Sequence, residues 1–248
     1  MADTLKSVLL RLHQLADPEV ARKAEHFGIK GVRVLGVSAP QLRRLAKSIG
    51  TNQALSLRLW HAGFLEARAL AALVGDPSLV TRRQMEQWAK DFDNWAVCDV
   101  CCGELFVWTS FAREKSLRWI ERKEEYVKRA GFVMMAAMAI KLKSLPDGEF
   151  LSLLKVLPAA AADERNFVKK AVSWAIRQIG KRTARLNRSA ISTARRIRQL
   201  DSRAARWVAS DSLRELQSAS VRRRLRWRRR TPTRRVLHSP ARSHRRKP

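Results

Sequence analysis

The sequence predicts an all-α protein built from stacked helical pairs, and three observations predict it. Nearly every segment carries apolar residues at a 3.6-residue period, helix-opening and helix-closing residues punctuate these runs at short intervals, and alternating runs of β-branched residues are nearly absent. These signals mark about twelve or thirteen short helices joined by short turns. The chain has 248 residues, 46% of them hydrophobic, enough apolar material for one sizeable domain. That domain is expected over residues 1–220, followed by an Arg-rich tail over 221–248.

Taken in chain order, Met1 to Ala16 form a short amphipathic pattern broken by Lys6 and Arg11, without the uninterrupted apolar core and cleavage site of a secretory signal. Ser38 ahead of Ala39 and Pro40 opens a helix that Gly50 closes, and Thr81 opens a run to Phe92. The segment from Asp93 to Cys102 is helical, with Trp95 and Asp99 on one face at i, i+4 among apolar neighbours. The next helix carries Lys128 and Arg129 beside Phe132, Met134, Met135 and Met138, which read as core packing. Asp163 opens a helix that stops at Gly180, with Val168, Ala171, Val172, Ala175 and Ile179 as its buried stripe. From Val221 the composition cannot bury enough apolar surface to offset ordering entropy, so a disordered tail is expected.

Tyr126-Val127-Lys128-Arg129-Ala130 recurs 41 residues later as Phe167-Val168-Lys169-Lys170-Ala171. That offset lies within the period of HEAT-type helical pairs, whose stacking gives a curved solenoid able to follow an extended ligand such as a duplex.

Net charge is +29, and the segment from Val221 to Pro248 holds 13 Lys and Arg and no acid, leaving +16 on the rest. A body this basic points to a polyanion, and nucleic acid is the usual one because phosphate neutralisation releases counterions. No run approaches membrane-spanning length. Cys98, Cys101 and Cys102 lie within five residues, a spacing that suits neither a disulfide framework nor a metal site without nearby histidines, and fits buried thiols in a reducing, cytoplasmic setting. There is no Gly-rich phosphate loop, H-E-x-x-H or nucleophile elbow.

Two constellations can carry chemistry. Asp99, partly desolvated, is a structural ion-pair partner, a cap for a neighbouring helix or a catalytic group. On the helix ending at Gly180, Lys170, Trp174 and Arg177 fall in one column beside the buried stripe. They suit a sugar-phosphate backbone, with the ring on deoxyribose and the cations on phosphates, or a core-edge tryptophan covered by cation stems.

These residues resemble the signature of the DNA alkylation repair family. The resemblance covers about Ala24 to Leu216 and rests on Gly36-Val37-Ser38-Ala39-Pro40-Gln41-Leu42-Arg43-Arg44-Leu45-Ala46-Lys47, the Trp95 to Asp99 spacing, Val127-Lys128-Arg129-Ala130, and Asp163 to Ala171 continuing to Trp174 and Arg177. It implies a HEAT-like solenoid of paired antiparallel helices with a basic concave face that excises N3- and N7-alkylated purines. By that resemblance Asp99 takes the place of the catalytic aspartate, Trp95 and Trp174 of the tryptophans contacting deoxyribose, and Arg129 and Arg177 of cleft arginines near phosphates, with Lys170 beside them. Well-studied members of the family carry two adjacent tryptophans before the aspartate, whereas this chain has Asn94-Trp95 and then a cysteine cluster.

The implied chemistry needs no general acid, because N3 or N7 alkylation makes the purine a cationic leaving group. A fixed carboxylate stabilises the oxocarbenium-like sugar and positions water, and neither metal nor organic cofactor is required. The expected partner is double-stranded DNA carrying alkylated bases, bound by a nucleoid-associated monomer without membrane contact. Two other classes stay open: a non-catalytic HEAT-like protein binding damaged or branched nucleic acid, and a protein-interaction scaffold whose charge serves solubility.

Overall fold

The computed structural model describes residues 3–230, and among them lie fourteen α-helices and no strand. They are α1 (Leu5–Gln14), α2 (Pro18–Ala24), α3 (Ala39–Ile49), α4 (Gln53–Trp60), α5 (Leu65–Val74), α6 (Arg82–Lys90), α7 (Trp95–Val100), α8 (Ala112–Trp119), α9 (Glu125–Lys141), α10 (Asp147–Ala160), α11 (Asn166–Gly180), α12 (Ala184–Arg198), α13 (Arg203–Leu216) and α14 (Ala219–Arg230).

Local chemistry sets the helix starts. Helices α3 and α6 start at the predicted Ser38 and Thr81: the Thr81 hydroxyl accepts from the Gln84 amide, and Gln41 Oε1 accepts from the Ser38 amide and hydroxyl. Gly36 precedes Ser38 at φ 85°, where a Cβ would lie 2.0 Å from the Asp17 carbonyl oxygen. The buried Glu66 carboxylate on α5 receives the Leu35 and Gly36 amides and so fixes this turn against the body. One start differs from expectation: α11 begins at Asn166, and Asp163 lies in the preceding turn. There its carboxylate accepts from the amide and guanidinium of Arg165 and pairs with Lys128 Nζ at 3.0 Å.

Packing follows the predicted pairs. Helices α4 and α5, α8 and α9, α10 and α11, and α12 and α13 lie against one another. Within the stack, α5, α7, α9, α11 and α13 each pack on the next and make one continuous layer, while α10 and α12 pack together in the other. The sequence repeat falls at equivalent places in that first layer: Val127 and Val168 are buried near the starts of α9 and α11, and the rings of Tyr126 and Phe167 meet 5.5 Å apart. The core runs through all pairs and includes Met134, Met135 and Met138. It also includes the predicted stripe of α11.

The chain remains helical past Val221. Val221 and Leu225, one turn apart, are buried and anchor α14, so the expectation of disorder is corrected for residues 221–230. Two well-placed apolar side chains suffice where composition alone argues against order. The rest of the expected tail, 231–248, lies outside the described residues. No described helix is long and apolar enough to cross a membrane.

Candidate nucleic-acid interface

Helix α7 begins where the Asn94 side chain accepts from the Val97 amide. Asn94 is fully buried in this capping role. Trp95 is the first helical residue, half-buried, and its indole Nε1 donates to the Phe27 carbonyl at 2.8 Å.

Phe27 belongs to a short turn, Glu25–Phe27, closed by Gly28 at φ 80°. A Cβ at Gly28 would meet the Phe167 ring at 2.9 Å, so the turn seats on α11 only with glycine there. Its peptide then aims the Phe27 carbonyl at Trp95.

One turn after Trp95, Asp99 faces Arg129 on α9. Arg129 Nε donates to Oδ1 at 2.8 Å and Nη2 to Oδ2 at 2.7 Å, a bidentate fork, while Nη1 donates to the Phe167 carbonyl at 2.7 Å. A single guanidinium thus ties α7, α9 and α11 together. Both side chains are largely buried, with 8% of Arg129 and 21% of Asp99 exposed. Burial pushes the Asp99 carboxyl above its ordinary value against the opposing pull of Arg129's charge and hydrogen bonds. Burial acts against the Arg129 charge too, but the Asp99 charge and hydrogen bonds outweigh it and hold the guanidinium protonated. Of the three roles open to Asp99, the ion-pair role is therefore filled, and Arg129 is engaged by that carboxylate.

A cavity of about 440 Å³ opens beside the pair, lined by Trp95, Phe27, His26, Arg129, Asn166, Phe167 and Lys170. The structure brings Trp95, Arg129 and Lys170 to this cavity; Asp99 is not among its lining residues and is joined to it through Arg129. Trp174 lies one turn beyond Lys170 on α11, half-buried against the core. Arg177 sits farther along and is engaged by α13: it pairs with Glu215 and approaches Asp211 Oδ2 at 3.4 Å. Lys181 shares Glu215. Burial acts to raise the Glu215 pKa, and the bonds from Lys181 and Arg177 outweigh it, keeping Glu215 below its ordinary value. The predicted cation column is thus charge-balanced at Arg177 and open at Lys170, which is exposed.

Sequence reasoning did not find the segment from His26 to Gly28, although Phe27 is 66% exposed at the cavity mouth. Its only signal is a glycine after an aromatic residue, which is common in loops. The thiols of Cys98, Cys101 and Cys102 are buried and unbridged, and desolvation raises all three.

The family model of the DNA alkylation repair enzyme matches residues 8–219. The chain belongs to that family. Among solved structures it is similar to one described as "a new family of proteins related to the HEAT-like repeat DNA glycosylases with affinity for branched DNA structures", at 17% identity and a TM-score of 0.72. The match covers 86% of this chain and 96% of the other, and establishes the HEAT-like fold. No curated protein matches the sequence.

Proposed function

We propose that the protein is a monofunctional DNA glycosylase that hydrolyses the N-glycosidic bond of positively charged N3- and N7-alkylated purines. The observation that carries this reading is the convergence of Trp95, Arg129 and Lys170 on one cavity, with the Asp99 carboxylate held by Arg129 and one-fifth exposed.

The chemistry follows from that arrangement. The alkylated purine leaves as a neutral base, so the barrier lies in the charge that develops on the sugar. A carboxylate fixed in advance stabilises that charge without reorganising as the bond breaks. Arg129 takes one lone pair on each Asp99 oxygen, leaving one on each for the sugar or for the attacking water. The Trp95 face supplies cation–π attraction to the same developing charge, and its indole is already oriented by the Phe27 carbonyl. On this reading a DNA phosphate at the cavity mouth competes for Arg129, which draws countercharge from Asp99 as the duplex docks. Lys170 holds a neighbouring phosphate, and Trp174, one turn farther along α11, meets a deoxyribose of the backbone beyond it. The partner is double-stranded DNA, bound by a monomer, and no metal or organic cofactor enters the reaction.

A second reading, binding of branched DNA without base release, is favoured by one observation: Arg129 neutralises Asp99 as the protein stands. The similar solved protein's affinity for branched DNA is consistent with it.

Incubation with methylated duplex DNA separates the two. The glycosylase reading expects free 3-methyladenine and 7-methylguanine from the wild type and none from Asp99→Asn at equal DNA binding. Absence of free base from the wild type, with tighter binding to a four-way junction than to a linear duplex, establishes the second reading instead.

A further inference from the structure

Helix α14 carries arginine at 222, 223, 224 and 226, all exposed, and only Val221 and Leu225 of this stretch are buried. No acidic residue lies on the helix. Arginines one turn apart, such as Arg222 and Arg226, repel one another and oppose the helix that holds them. Such an element is stabilised by an external line of negative charge.

Its position says which. Arg224 closes a small cavity of about 140 Å³ together with Lys143 after α9 and Gln178, Lys181 and Arg182 at the end of α11. Arg182 is committed to the fold: it donates to the carbonyls of Ala139, Leu142, Lys143 and Leu145 and lies over the Phe150 ring at 4.0 Å. Lys181 is engaged by Glu215. The charge added for a ligand comes from α14.

This cavity lies on the same face of α11 as the Trp95 cavity. At 100° per residue, Lys170, Trp174, Arg177 and Lys181 fall within one 60° sector. Lys170 lines the first cavity and Lys181 the second. Eleven residues separate them, about 16 Å along the helix, or about five base-pair steps of a duplex.

We propose that α14, with the ends of α9 and α11, forms a second phosphate-binding patch that holds a nucleic-acid backbone about five base pairs from the Trp95 cavity. The middle of the face, where Arg177 is balanced by Asp211 and Glu215, is then the neutral stretch between two anchoring ends. A membrane surface suits residues 221–226 poorly, because an interfacial helix presents an apolar face and Val221 and Leu225 are buried in the protein. The patch rests on the reading of the protein as DNA-binding and is independent of whether bases are excised.

The test is fluorescence anisotropy of the full chain with a labelled 24-base-pair duplex across a salt series. It compares the wild type with Arg222→Gln/Arg223→Gln/Arg224→Gln/Arg226→Gln and with the single Arg224→Gln, both checked for wild-type thermal unfolding. Each lost phosphate contact weakens binding about eightfold at about 0.1 M salt and lowers the salt slope by about 0.9. The quadruple variant is expected to lose two or more such contacts and Arg224→Gln one.

Affinity and slope within twofold of wild type in both variants overturn the patch, even if binding to phosphatidylserine vesicles or polyglutamate falls. A wild type with no salt-dependent DNA binding fails the DNA reading itself, and the patch with it. If the quadruple variant does not fold, the exposed single substitution decides.

Discussion

Replacing Arg129 with methionine keeps much of the side-chain stem and removes the charge that links three helices. Three hydrogen bonds disappear: two to the Asp99 carboxylate at 2.8 and 2.7 Å and one to the Phe167 carbonyl at 2.7 Å. Breaking one side of a buried ion pair costs about 3–5 kcal/mol, because the remaining charge is left desolvated and unpartnered. In a chain of this size that lowers the melting temperature by about 2–4 °C per kcal/mol, or about 6–20 °C in all.

A further signature identifies Asp99 as the source. Without Arg129, burial alone acts on a carboxyl whose pKa is already raised, and moves it higher. A group with a raised folded pKa binds more protons in the native state than in the unfolded one. Stability then falls as pH rises through the window from the unfolded to the folded pKa, and returns on acidification. The Arg129→Met deficit should therefore be largest at neutral pH and narrow below the raised pKa of Asp99. Asp99→Leu/Arg129→Met should recover much of the loss, as buried pairs replaced by apolar groups often do. Urea unfolding followed by circular dichroism at several pH values measures all three variants. A deficit under about 1 kcal/mol, independent of pH, would refute a closed Asp99–Arg129 pair.

Other consequences are equally direct. Asp163, held at about 2 by hydrogen bonds from Arg165 that outweigh its burial, with further help from Lys128, stabilises the fold above its unfolded pKa and ceases to do so as pH falls toward 2. Asp163→Asn should cost about 1 kcal/mol at neutral pH after solvent screening and nothing near pH 2, read by urea unfolding at each pH. Gly28→Ala places a Cβ against Phe167 at positive φ and should cost about 1–3 kcal/mol, with altered tryptophan emission as the Phe27 carbonyl leaves Trp95. The three cysteines should resist a thiol reagent in the folded protein at pH 8 and all react in denaturant, since burial keeps them protonated.

Fold class was legible because it rests on local, repetitive signals. Helical periodicity, the Ser38 and Thr81 caps and the 41-residue recurrence each reappear as an element or a packing relation. The site was legible in part. Trp95 and Lys170 reach the cavity because their helix positions follow from periodicity, and the placement of Arg129 beside Asp99 brings together residues 30 apart in sequence.

What was not legible depends on contacts between distant segments. The engagement of Arg177 by Asp211 and Glu215 joins α11 to α13, and no spacing rule pairs those positions. The turn from Glu25 to Gly28 reaches the site because a glycine clears Phe167, 139 residues away in sequence. Order in α14 depends on two apolar residues finding the body of the fold, which a composition dominated by arginine conceals.

The central claim is that the Asp99 carboxylate acts on the sugar of a cationic lesion. Its most direct test is single-turnover release of 7-methylguanine from a duplex carrying one lesion, at protein concentrations that saturate the DNA. The account predicts release about 100-fold or more above the spontaneous rate, collapse to that rate in Asp99→Asn at the same occupancy, and no requirement for added metal. Release by the wild type at the spontaneous rate on fully occupied DNA, or undiminished release by Asp99→Asn, would contradict it.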